Sequence, residues 1–540
     1  MTMKKILFAI LSVAVLASCS SDFLNTMSTS KIDEATVFST TESAKMAIEG
    51  LVAHTYYFTG TAPRMGYNFI ILQNEVMGED LMYSKKNAQW TTSAKWSLHN
   101  DPTSSGMLYI YRWFYTMIMN ANTIIRNMED GNVEGPQQEK DFIEAQALTY
   151  RAWCHFLAVQ WYGLRYDYDN PSKNEQNLGV IIRTDNTGEP KARASVAEVY
   201  AQINADLDKA IELFSGSSVT RSDKANIDIN VCRGIKARVL LTQGQWEAAA
   251  EMAKLVENGS GAKLDAKTYE RKVGRGCDSS NSEWIWCQIA HEELGIHKYG
   301  QFYSYISNTN VSYNQNTPRC INNLLYARIP DTDVRKDLWL EDPTTMDKKD
   351  IVYPPSGNLY PWMSQKFIVC AIDNTSSAYD GSKLSADVPY MRLPEIILME
   401  AEGYARAGKT AEAQKALDKL AKMRDPAYTG CTSTGDALID EIMFQRRIEL
   451  WGEGFRFPDL KRLHMDLDRG PKPRDGYNQG GWKSYKHQDN LDPLASNYNM
   501  YDAQEIGEEN RFRDKDHIDW QFTIPQDEID ANPLCQQNLL

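Results

Sequence analysis

The chain has 540 residues, 42% of them apolar, and a formal charge of −14. That is ample apolar material for a large core, and no low-complexity linker divides it. The acidic balance excludes nucleic acid as a partner, because such a surface repels a polyanion, and it favours neutral or cationic ligands.

The first residues, MTMKKILFAILSVAVLASCS, place two lysines before an apolar run from Ile6 to Ala17. A membrane span needs roughly 20 apolar residues, so this run is too short to be one and has the layout of a secretory signal. The run closes on Leu16-Ala17-Ser18-Cys19. A leucine, two small residues and a cysteine resemble the lipobox of bacterial lipoproteins, in which Cys19 receives lipid and becomes the mature amino terminus. Residues 1–18 are then the signal peptide, and acyl chains on Cys19 hold the rest at a membrane without a spanning helix. The other cysteines show no paired CxxC metal signature, and several, such as Cys154 and Cys232, sit in apolar helical patterns and read as buried thiols. Cys277 and Cys287 are candidates for a bridge in an oxidising compartment.

From Met107 to Met128 the residues Ile110, Phe114, Met117, Ala121, Ile124 and Met128 form one stripe of an amphipathic helix. GNVEGP breaks it, and Phe142, Ala145, Thr149, Ala152, Phe156 and Val159 resume it, which predicts a helical hairpin. Val196, Val199, Ile203, Leu207, Ala210 and Phe214 mark a further helix, with Ser195 and Glu198 as its capping box. Two later segments share a frame: ARVLLTQGQWEAAAEMAKLV from Ala237 and AEGYARAGKTAEAQKALDKL from Ala401. Each has glycine seven residues on (Gly244, Gly408) and alanine five beyond that (Ala249, Ala413), the skeleton of a tetratricopeptide-type hairpin.

Inside the second copy, GYARAGKT, Gly403 to Thr410, fits the phosphate-loop pattern letter for letter. Such a loop needs a strand before it and an open glycine turn whose amides face the phosphates. Here Ile397, Ala401, Tyr404 and Ala405 carry helical spacing into the motif, against a rival reading of Ile396 to Met399 as a strand. The copy at Gly244 keeps the frame with Gln245 and Trp246 where Lys409 and Thr410 stand. Gly408 is therefore expected to end a helix, Lys409 to be solvated, and no nucleotide to bind.

Six ordered stretches carry a wider likeness: DFLNT with VFSTTESAKMAIEGLVAHTY near the start, RAWCHFLAVQWYG from Arg151, VYAQINADLDKAIELF from Val199, PYMRLPEIILMEAEGYARAG from Pro389, RRIELWGEGFRFPDLKR from Arg446, and IPQDEIDANPLCQQN from Ile524. On these the chain resembles the SusD/RagB family, lipid-anchored nutrient-binding proteins of the bacterial outer membrane. Gln445 departs from the pattern, standing where an acid is expected, and so removes an ion pair there. The resemblance implies a mostly α fold of tetratricopeptide-like hairpins with long loops and minor strands. It implies a single domain over 19–540, with hairpins at about 107–258 and 390–464 and a loop-rich ligand face at about 60–105 and 274–386. It also implies capture of oligosaccharides, or alternatively peptides, for a SusC-like TonB-dependent barrel, with no cofactor, no metal and no catalysis.

A sugar ring packs its C–H face on a flat aromatic ring, and its hydroxyls need fixed donors and acceptors. The segment from Glu79 to Asn100 lacks a helical stripe and supplies Asp80, Tyr83, Trp90, Trp96 and Asn100. In the family an acid in a setting like NEVMGED, with aromatics just after it, belongs to the ligand surface. A second zone, Gly274 to Ala386, is dense in aromatics: Tyr299, Tyr303, Tyr305, Tyr313, Tyr360 and Trp362. Trp284 and Trp286 alternate like strand residues and are expected in the core.

Catalytic readings fare worse. His291 and His297 in HEELGIH lie about 240° apart round a helix, not on one zinc-binding face. Arg446, Glu449, Glu453 and Arg456 in RRIELWGEGFR are spaced for ion pairs along a helix near a glycine stop, a structural role. A surface glycosidase and a protein-binding helical scaffold stand as rival functions.

Overall fold

The computed structural model describes residues 34–56, 62–83, 90–269, 279–290, 302–308, 319–341, 358–359, 362–367, 387–469, 482–483, 485–486, 497–498, 510 and 512–538. Helices dominate it. α1 (Thr41–His54) begins at a capping box between Thr40 and Ser43. α2 (Tyr67–Met77) is buried on every side, inside a stretch expected to be loop. Asn68, Gln73, Asn74 and Glu75 are buried with its apolar residues, so no one-sided stripe remains for periodicity to reveal. α3 (Ser105–Glu129) and α4 (Gln137–Tyr162) form the first long hairpin, and every position of the two expected stripes is buried. α5 (Val196–Gly216) carries the expected box: Ser195 Oγ accepts from the Glu198 amide at 3.2 Å, and Glu198 Oε2 from the Ser195 amide at 2.8 Å. α6 (Ile229–Thr242) and α7 (Trp246–Gly259) follow, then α8 (Leu393–Arg406), α9 (Thr410–Arg424), α10 (Gly435–Glu449) and α11 (Arg456–Arg462). Each helix from α3 to α9 packs on the next, α8 also touches α10, and α1 lies across α4. No helix of the described residues is long and apolar enough to cross a membrane.

The two copies of the repeat close identically. Gly244 and Gly408 both take left-handed backbone, with φ of 69° and 77°, where glycine has no steric penalty. The amides of Gln245 and Lys409 then bond back to Leu240 O at 2.9 Å and Tyr404 O at 2.8 Å, and the next helix starts. Gly403 serves a different need. A Cβ there would stand 2.5 Å from the Trp246 carbonyl oxygen and 2.9 Å from Ala250 Cβ, so its bare backbone is what lets α8 press against α7. The residues between the two glycines are helix, their amides engaged in its ladder, and Ile396 to Met399 lie inside α8. Lys409 is partly exposed and pairs with Glu247. No phosphate loop exists here.

Strands are short. β1 (Leu81–Tyr83), β2 (Trp284–Gln288), β3 (Arg319–Ile321), β4 (Trp339–Leu340), β5 (Met363–Ser364) and β6 (Val388–Arg392) make two antiparallel sheets, one in the order β1-β3-β5-β4 and the other β2 with β6. Trp284 and Trp286 are buried as expected, the latter donating its indole N–H to Ala225 O at 3.0 Å. Cys287 is buried in β2, and Cys277 lies outside the described residues.

The stretch from Trp520 onward returns across the end of α4 as a strap. The Phe522 amide donates to Trp161 O at 2.9 Å, and its ring stacks on Trp161 at 4.6 Å. Asn538 donates to Tyr162 O at 2.8 Å and accepts from Arg193 at 2.7 Å. Lys461 gives its three protons to the carbonyls of Gln160, Gly163 and Trp520, at 2.6, 2.8 and 2.7 Å, satisfying the last turn of α4.

Candidate functional site

NEVMGED crosses from α2 into β1, and its acids turn inward. Asp80 is 2% exposed and takes the Arg447 guanidinium across both carboxylate oxygens, at 2.9 and 3.1 Å from Nε. Its carbonyl accepts from the Trp451 indole at 3.0 Å and from the Asn322 amide at 2.9 Å. Glu79 takes Arg456 and, at 2.8 Å, the Asp468 amide. Burial opposes the Glu79 charge, but Arg456 and Arg447 outweigh it and hold the carboxyl below its usual range. Glu75 accepts from the Gly454 amide at 3.0 Å, and burial pushes its carboxyl up to about 7. Asp80 was expected on the ligand surface; it instead locks the α2–β1 corner to α10 and α11. The fork of an arginine fits a carboxylate face on, which is why such pairs form interior ties.

The aromatics divide. Trp90 is partly exposed, with its ring 5.0 Å from Phe69 and 5.5 Å from Tyr305, and its backbone is left-handed at φ 75°. Trp362, also partly exposed and at φ 59°, precedes β5 and accepts from the Ile321 amide at 3.0 Å. Positive φ is uncommon outside glycine and persists only where surroundings enforce it. Tyr83 ends β1 opposite Arg319, its side chain outside the described residues.

Other expectations need correcting. Trp96 is 1% exposed, donates to Met77 O at 2.9 Å and meets Trp520 edge-on at 4.7 Å, so it is core. Asn100 spends its amide N–H on Trp96 O at 3.0 Å, and its Oδ1 is buried. Tyr303 is wholly buried and donates to the Asp387 carbonyl; Tyr305 is buried beneath Trp90. Tyr299, Tyr313, Tyr360, His291, His297 and Cys19 lie outside the described residues. Phe69, which supports Trp90, was not foreseen, because α2 has no stripe to flag it.

The second arginine-acid stretch is structural, but its partners are remote rather than along one helix. Glu449 gathers Arg335, Arg392 and Arg424 at 3.2, 3.3 and 3.1 Å. Burial works against it, yet these guanidiniums hold its carboxyl well below the usual range. Glu453 pairs with Arg392 and Lys366, Arg446 with Asp459 and Arg456 with Glu79. Gln445 accepts from Arg335, which keeps its ionic partners Asp333 and Glu449. Among the described residues no group of three His, Cys, Asp or Glu side chains is placed to hold a metal. Glu79, Asp80, Glu449 and Glu453 sit in buried ion pairs, whereas Trp90 and Trp362 are partly exposed, and an exposed ring suits stacking.

Comparison with known proteins bears on the same architecture. The profile of the SusD family matches residues 126–540, and one described as starch-binding associating with outer membrane matches 22–227. A prokaryotic membrane lipoprotein lipid attachment site matches 3–20, which contains Cys19. Among curated proteins none matches. A SusD-like carbohydrate binding protein from Bacteroides vulgatus is similar in structure at 23% identity and a TM-score of 0.72, covering 92% of this chain and 98% of that one. Surface glycan-binding protein A from Bacteroides thetaiotaomicron, solved with laminarihexaose, is similar at 15% identity and a TM-score of 0.63, covering 93% of this chain and 100% of its own.

Proposed function

The chain belongs to the SusD family, and we propose that it is a lipid-anchored receptor that captures an oligosaccharide outside the cell and hands it unchanged to a SusC-like TonB-dependent barrel in the outer membrane. Cys19 supplies the anchor, and no cofactor takes part. The reading rests on one observation: Trp90 and Trp362 stay partly exposed, and the Trp90 ring is braced by Phe69 at 5.0 Å and Tyr305 at 5.5 Å. Rings set in advance lose little freedom when a sugar stacks on them. The complex of the surface glycan-binding neighbour with laminarihexaose makes laminarihexaose the first ligand to try.

The test is calorimetric titration of the mature chain against a panel of oligosaccharides and peptides. Saturable binding of one oligosaccharide class is expected, weakened at least about tenfold by Trp90→Ala or Trp362→Ala, with no shorter products after incubation. Binding of peptides alone would move the function to peptide uptake, and shortened products would make the protein a glycosidase.

A further inference from the structure

Away from these rings, a cavity of about 60 Å³ opens among α2, α4, α6, α8, α10 and α11, in part continuous with solvent. Gln160, Arg238, Phe455 and Pro458 are its partly exposed lining, and Tyr67, Trp153 and Arg446 are among its buried lining. Two polar atoms in that lining stand out. Trp153 Nε1 and Arg446 Nη1 are buried and have no hydrogen-bond partner among the described residues, in side chains belonging to residues 1% and 4% exposed. Both are donors and neither can accept. Buried donors left unpaired are costly, and native proteins keep few of them. Two in one cavity mark a place for an acceptor.

The charges around the cavity have the same sense. Arg238 holds Glu395 across two bonds of 2.6 and 2.7 Å. Arg446 donates to Asp459 at 2.7 Å, Arg462 to Asp459 at 2.8 Å and to Glu402 at 2.8 and 2.7 Å, and Arg406 to Glu402 at 2.8 Å. Four guanidiniums thus share three carboxylates, which leaves one positive charge in excess. Burial opposes the Glu402 charge, but Arg462 and Arg406 outweigh it and keep the carboxyl down at about 2; at Asp459 burial is likewise outweighed by Arg446 and Arg462, which hold it below its usual range. The Phe455 ring lies under two of the cations, 5.0 Å from Arg446 and 5.3 Å from Arg238, and Phe156 adds an apolar wall.

We propose that this cavity binds the carboxylate of a small organic acid, which accepts from Arg446 Nη1 and Trp153 Nε1 and lays its apolar stem along Phe156 and Phe455. A single negative charge matches the excess, and phosphate, a mixture of monoanion and dianion at pH 7, has no apolar part to lay on the walls. A halide has no stem for the aromatic walls. Ordered water on the two donors is the alternative that the crystal below decides. The site is separate from the tryptophans proposed for glycan capture and does not depend on that assignment.

The experiment is calorimetry and thermal melting of the mature chain with acetate, propionate, chloride and phosphate at fixed ionic strength and pH 7. Propionate is expected to bind saturably and raise the melting temperature, with chloride and phosphate producing neither effect. Trp153→Phe keeps a ring and removes the donor; it is expected to weaken propionate at least about tenfold while leaving circular dichroism and the oligosaccharide titration unaltered. Arg446→Lys is expected to do the same, and if it fails to fold Trp153→Phe decides alone. The proposal is overturned if no carboxylate binds saturably, if Trp153→Phe binds propionate as tightly as the parent, or if a crystal grown in propionate shows only ordered water on the two donors.

Discussion

The Glu79–Asp80 pair and Trp90 stand about ten residues apart in one irregular stretch, and the fold sends them to opposite surroundings. The acids go inward to Arg447 and Arg456, so NEVMGED and RRIELWGEGFR are two halves of one lock joined across the whole chain. Trp90 stays at the rim, braced by Phe69 and Tyr305. The two residue types that suggest a sugar site when side by side therefore divide the work here. Carboxylates brace the scaffold from within, and the Trp90 ring keeps the exposed surface that is proposed for a ligand. Charge in a buried motif is best read by asking which guanidinium elsewhere in the chain answers it.

That division can be broken from either side. Asp80→Ala takes the two-oxygen carboxylate from Arg447, leaving it Glu79 at 3.2 Å, and is expected to cost about 3 kcal/mol, read as a lowered urea midpoint; a change too small to measure would remove the lock. Trp90→Ala gives the converse pattern, with binding lost and the midpoint moved far less. Gly403→Val forces side-chain atoms into the α7–α8 contact and is expected to cost roughly 1–3 kcal/mol in thermal melts, separating packing from the lock. The acid limb sharpens the picture further. Burial holds the imidazoles of His99 and His155 down at about 3, against a usual 6.5. Both are neutral in the fold, so the stability tied to them is whole above pH 6.5 and is lost as pH falls toward 3. Replacing both with Gln is expected to flatten the fall in melting temperature between pH 6.5 and 4. Least of all, Lys409→Ala removes a solvent-facing pair with Glu247, and its melting temperature is expected to match the parent's, as is the absence of ATP binding.

Much of the scaffold is legible in the sequence because most of its helices are one-sided. Ile110 through Met128 keep helical spacing since only one face of α3 is buried, and Gly408 announces a turn because few residues besides glycine accept its backbone. α2 carries no such mark: from Tyr67 to Met77 every side faces protein, and buried Asn68, Gln73, Asn74 and Glu75 interrupt any apolar stripe. The site was harder to read. Trp90 and Trp96 are the same residue six positions apart, and what buries the second is Phe457 and Trp520, contributed from the far end of the chain. Asp80 finds Arg447 across 367 positions, a separation no local spacing encodes. The second arginine of RRIELWGEGFR was the available clue, a cation with no acid assigned to it.

The strap over α4 also dictates an order of events. Trp161 and Tyr162 are made early, whereas Phe522 and Asn538, which cover them, leave the ribosome hundreds of residues later. Until then the end of α4 remains an open seam, with Lys461 still waiting for the Trp520 carbonyl. A polypeptide built this way stays unsealed throughout its own synthesis, which is the loose condition required of any chain that must be threaded across a bilayer before it sets.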